Sequence, residues 1–126
     1  MAASPWKQFT AMAPDREYLA FASFLPLKRL AATPKMMGLA SSVRRQLKDT
    51  PGIVGYSLDA KPFAREYYTL SVWDDEASLQ AFVVHSPHVD VMSKLADDMD
   101  DTKFVRWTIT GAEPRPTWAE AKQRLG

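Results

Sequence analysis

Two rhythms of apolar and polar positions run along this chain. From Glu66 to Trp73 the period is two: Tyr68, Leu70 and Val72 fall on one side of an extended strand, and Tyr67, Thr69, Ser71 and Trp73 on the other. One side is largely aliphatic, the other aromatic and hydroxyl-bearing. From Met36 to Leu47 the period is helical, with Met36, Ala40, Val43 and Leu47 on one stripe and Lys35, Ser41, Arg44, Arg45 and Lys48 elsewhere. That predicts an amphipathic helix of about four turns. Thr33-Pro34 is its expected start, with Thr33 as N-cap and Pro34 at the first helical position, and Pro51-Gly52 lies where it must stop.

The same two rhythms organise the rest. Glu17 to Leu27 is a first strand with bulky groups on both faces, so both faces need cover. Ile53 to Leu58 is a second strand. The fourth, Lys103 to Ile109, puts Phe104, Arg106 and Thr108 on one face and Val105, Trp107 and Ile109 on the other. Asp74 or Asp75 caps a second helix striped by Leu79, Phe82 and Val83. Ser86-Pro87 then restarts it with His88, Val91, Met92 and Leu95 on one face, and the acidic run Asp97 to Asp101 is expected as a helix end and solvated loop.

The order is βαββαβ, a ferredoxin-like α+β domain over residues 17–111 with an antiparallel four-stranded sheet. Residues 1–16 read as an N-terminal arm whose anchors are Trp6 and Phe9, and residues 112–126 as a linker and short helix capped by Thr117. Two helices cover one face of such a sheet. The face bearing Phe104, Trp73, Tyr67 and Thr69 is too apolar to leave in water, which predicts a homodimer packed sheet to sheet as a dimeric α+β barrel.

Composition narrows the chemistry. The 126 residues contain no Cys, which excludes disulfides, thiolate metal sites and Cys nucleophiles and fits a reducing, cytoplasmic compartment. With 16 Lys and Arg against 15 Asp and Glu, no global field points to nucleic acid or an anionic membrane. No apolar run reaches a membrane span, and the N-terminus lacks the basic start and apolar core of a secretion signal. No phosphate-cradling glycine loop, nucleophile elbow or paired-carboxylate site is present.

The run TLSVWDDEASLQAFVVHSPHVDVM, Thr69 to Met92, resembles a segment of the dimeric α+β barrel superfamily: a strand ending in Val-Trp, an acidic turn, then a helix carrying Phe and His. The chain is similar to its antibiotic-biosynthesis monooxygenase-like members, in particular small uncharacterised domains, and distantly to haem-associated spheroidene monooxygenase. The resemblance implies a barrel cavity for a small aromatic or polyketide-like substrate, with Trp73 at the cavity wall. In haem-degrading members the Trp works with an Asn on the first strand, where this chain offers Ser23, and with a His whose position falls near Met92, one turn beyond His88.

The candidate catalytic residue is His88, as general base; a backbone-bonded core histidine is the other account of it. Trp73, Tyr67, Thr69, Ser71, Arg106 and Phe104 are the candidate substrate-binding residues. Arg106 would meet a substrate anion, or else Glu66 across the sheet or solvent at the rim. No metal site is expected: His85 and His88 lack a third ligand. The expected enzyme is a cofactor-independent monooxygenase, with a haem protein or a noncatalytic ligand-binding dimer as alternatives.

Overall fold

The computed structural model describes residues 6–84, 96–112 and 116–126. Its elements are β1 (Lys7–Gln8), β2 (Glu17–Pro26), α1 (Thr33–Lys48), β3 (Ile53–Lys61), β4 (Glu66–Trp73), α2 (Glu76–Val84), β5 (Lys103–Thr110) and α3 (Trp118–Leu125). The sheet order is β1-β3-β4-β2-β5 and every neighbouring pair is antiparallel. The interleaving of β2 between β4 and β5 is the split βαβ arrangement read from the sequence. The strand count differs, since Lys7 and Gln8 pair with Tyr56 and Gly55 and make the sheet five-stranded rather than four.

Register decides what each face carries. Ser23 lies opposite Thr69, Phe21 opposite Ser71 and Leu19 opposite Trp73, while Phe104 and Arg106 lie opposite Ser23 and Phe21. The aromatic, hydroxyl-bearing face is therefore one continuous surface. It is also the surface that α1 and α2 cover: Met36 joins Tyr67 and Leu27 in one buried cluster, and Leu47, Leu79 and Phe82 join Trp73, Tyr56 and Ile53 in another. The expectation that this face awaits a second copy is thereby corrected.

The opposite face is covered by the chain's own ends. Tyr18, Ala20, Val54, Val72 and Ile109 pack beneath Trp6 and Met12, and Ala22 and Leu70 pack beneath Ala121, Trp118 and Leu125 of α3. Gly55 makes the first contact possible, because a Cβ there would sit 2.7 Å from the Trp6 ring. Phe9 stacks on Tyr56 at 5.9 Å, so both anchors expected in the arm dock on the sheet.

Local capping follows the sequence in two places and departs from it in one. Asp75 accepts from the Ser78 amide at 2.8 Å and Thr117 from the Glu120 amide at 3.2 Å. Thr33 does not cap α1; it lies inside the helix after a 3₁₀ turn at Leu30–Ala32, with its hydroxyl buried and unbonded among the described residues. The acidic run is not wholly solvated either. Asp98 is buried and receives Arg29 at 2.5 Å and Lys35 at 3.0 Å, tying the Ala96–Asp98 turn to the start of α1. The Ser86-Pro87 restart lies outside the described residues.

Candidate functional site

Between the hydroxyl-bearing sheet face and α1 and α2 the structure leaves a cavity of ≈ 690 Å³. Its physical origin is the spacing of large side chains. The clusters around Met36 and Tyr67 and around Leu47, Trp73 and Phe82 hold α1 off the sheet toward its two ends. Between them the floor carries Ser23, Thr69 and Ser71 and the helix carries Ala40 and Ser41, side chains too short to meet. The walls include Phe21, Leu25, Tyr56, Leu58, Val43, Leu79 and Met99, and Arg44, Asp59, Tyr68 and Gln80 also line the cavity.

All six residues expected to bind substrate line this cavity: Trp73, Tyr67, Thr69, Ser71, Arg106 and Phe104. Trp73, 1% exposed, leans on Phe82 at 5.2 Å and donates its indole N–H to Ser71 Oγ at 2.8 Å. Ser23 and Thr69 share a hydroxyl–hydroxyl hydrogen bond across the β2–β4 ladder. The Tyr67 ring lines the wall, and its hydroxyl is buried with no partner among the described residues. Phe104, 52% exposed, stacks on Phe21 at 6.1 Å at the rim.

Arg106 also stands at the rim. Its partner is Glu76 in the first turn of α2, not Glu66, which the register places beside Pro26 at the far end of β4. The guanidinium lies 5.8 Å from the Phe21 ring centre, and Gln80 adds a 3.0 Å bond to the Glu76 carboxylate. The Arg106 hydrogen bond holds the Glu76 carboxyl below the usual carboxylate range. An exposed pair of this kind opens at small cost, so a ligand anion can compete for Arg106.

His88 and His85 lie outside the described residues. Among the described residues no group of three or more His, Cys, Asp or Glu side chains is placed to hold a metal ion. Sequence reasoning missed Glu76 and gave Ser23 no part in binding. Ser23 reaches the site only through strand pairing, 46 residues from Thr69, and no local spacing signals that.

Residues 29–126 match the family described as "Domain of unknown function (DUF3291)". The chain belongs to the DUF3291 family. No curated protein matches the DUF3291 chain in sequence. Its fold is similar to that of a conserved protein from Methanosarcina mazei (TM-score 0.64, 15% identity, covering 71% of this chain and 90% of that one). It is equally similar to an antibiotic biosynthesis monooxygenase (TM-score 0.64, 14% identity, 71% and 95% covered). A variant of SnoaB, a cofactor-independent oxygenase from Streptomyces nogalater, shares the fold at TM-score 0.58 and 13% identity, with 79% and 98% covered. The DUF3291 chain thus has the fold of the antibiotic-biosynthesis monooxygenase-like proteins. No described helix is long and apolar enough to cross a membrane.

Proposed function

We propose that this DUF3291 protein is a monooxygenase-like enzyme that encloses a small, flat, largely apolar molecule between its sheet and α1 and α2. The observation that carries this is the cavity: ≈ 690 Å³, walled by aromatic and aliphatic groups, with hydroxyls on one strip of floor and a cation at the rim. That size and that mixture are characteristic of small-molecule sites. The fold shared with an antibiotic biosynthesis monooxygenase and a cofactor-independent oxygenase supports the reaction class.

In the cofactor-independent form, an acidic substrate CH₂ next to an aromatic or carbonyl system gives up a proton, and its carbanion supplies electrons to dioxygen. The CH₂ becomes a carbonyl, one oxygen atom stays, and the other leaves as water. The protein's tasks are deprotonation, orientation and exclusion of bulk water. Here His88 is the base, Trp73, Tyr67 and Phe104 confine the ring, Thr69 and Ser71 meet its oxygen, and Arg106 neutralises a developing oxyanion when it leaves Glu76. A homodimer in the cytoplasm belongs to this proposal, although α3 and the Trp6 arm occupy the sheet's second face, so the dimer would use another surface.

A dioxygen electrode with a panel of electron-rich aromatic substrates tests the activity. Uptake that depends on the protein and falls at least tenfold in His88→Ala is the expected result; turnover untouched by that change would remove the base. A sharp Soret band on haemin titration, lost in His88→Ala, would replace the scheme with haem binding. Light scattering at micromolar concentration tests the dimer.

A further inference from the structure

The donors on the cavity floor are not all spent. An indole has one N–H and no acceptor, and that of Trp73 goes to Ser71 Oγ at 2.8 Å. Trp73 therefore offers a ligand its ring and nothing polar. A serine that accepts this bond keeps its own hydroxyl proton, and among the described residues the Ser71 hydroxyl has no other hydrogen-bond partner. On the next same-face position of β4, the Ser23–Thr69 pair uses one of its two hydroxyl protons internally and keeps the other. Two unspent protons thus sit about 7 Å apart along one strand, and the buried Tyr67 hydroxyl, unpartnered among the described residues, is a third donor in a chamber whose walls are mostly apolar.

A buried donor without an acceptor is unfavourable, and the favoured occupant is one that supplies the acceptor. Its oxygen should be uncharged. The cations lining the chamber, Arg106 and Arg44, are both exposed at its rim, where Arg106 can meet charge that develops there, so an anion seated on the floor would lose its water with no cation beside it. Resting on the small-molecule role proposed for this cavity, we infer that Ser71 is the hydrogen-bond donor that seats the carbonyl oxygen of an uncharged, flat aromatic ligand, with the Ser23–Thr69 pair as a second donor. The Trp73 N–H polarises the Ser71 hydroxyl and so strengthens the bond it gives.

The test uses two probes of nearly one shape, 2-acetylnaphthalene and 2-ethylnaphthalene, titrated calorimetrically into the full chain. The ketone should bind about tenfold tighter, the factor a net hydrogen bond yields. Ser71→Ala should bring the pair to parity, and Thr69→Val should reduce the preference. Because Ser71→Ala also strips Trp73 of its acceptor, the infrared carbonyl stretch of the bound ketone gives an independent readout in the wild type, where it should move to lower wavenumber. Equal binding of the two probes, an unshifted stretch, or a preference that survives Ser71→Ala would overturn the assignment while leaving the cavity as a ligand site. Binding of neither probe would overturn both.

Discussion

The two faces of this sheet are built from the same strands and solve opposite problems. On the far face the buried Ala20, Ala22, Leu70 and Val72 are closed over by Trp6, Trp118 and Ala121. On the near face the large side chains are gathered in two clusters, and α1 bridges them over a floor of hydroxyls. Close packing is what stabilises a domain; a cavity forfeits contacts and leaves donors unused. The difference teaches that one sheet can pack tightly on one face and keep open volume on the other, because Ala residues let covering groups reach the far face while bulky pairs hold α1 off the near one.

The contrast is sharpest for truncation of the packed face. Leu70→Ala should lower the unfolding free energy by about 2–5 kcal/mol in denaturant melts, as for other fully buried leucines. Enlarging a small residue distinguishes the faces directly. Ala121→Leu, on the buried side of α3, should cost about 1–3 kcal/mol by overpacking. Ala40→Leu, over the cavity, should be neutral or stabilising by up to about 2 kcal/mol, while weakening ligand binding. Equal penalties in the two variants would erase the distinction.

The faces should also loosen at opposite ends of the pH scale. Hydrogen bonds from Arg29 and Lys35 hold the Asp98 carboxyl below its usual range. Its contribution is complete above the ordinary value of about 3.9 and disappears as pH falls through the lower folded value. Asp98 pins the turn that carries Met99 into the cavity wall, so acid should weaken ligand binding. Lys122, hydrogen-bonded to the buried Asp59 at 2.7 Å, is held above its usual range. Its contribution is complete below about 10.4 and is lost as pH rises through the higher folded value, freeing α3 first. Hydrogen exchange of α3 amides against ligand affinity across pH would show whether the two responses separate.

The smallest effect is expected at Tyr67. Its hydroxyl is buried without a partner among the described residues, so Tyr67→Phe should stay within about 1 kcal/mol of wild type, on the stabilising side, and leave the ketone preference intact. A marked loss of ligand affinity would make that hydroxyl, rather than Ser71, the donor.

Much of the site could be read along one strand. Alternation alone puts Tyr67, Thr69, Ser71 and Trp73 on one surface, and the same rule puts Phe104 beside Arg106. What alternation leaves open is which surface the helices take, since both carry enough apolar groups. The partner of Arg106 was hidden for a related reason: Glu66 and Glu76 are equally plausible by charge, and only the fold brings the start of α2 to the rim. Asp98 was misread because a carboxylate in an acidic run shows nothing of cations 69 and 63 residues away.

The sequence by itself determined the order of strands and helices, the absence of thiol chemistry and the residues that share each side of β4, because these follow from periods of two and 3.6 and from composition. Only the tertiary structure decided that the chain covers its own second face, that Ser23 meets Thr69, and that a chamber remains above them. Those outcomes depend on register between distant strands and on which side chains happen to be long enough to touch, and neither is a property of any one stretch of the chain.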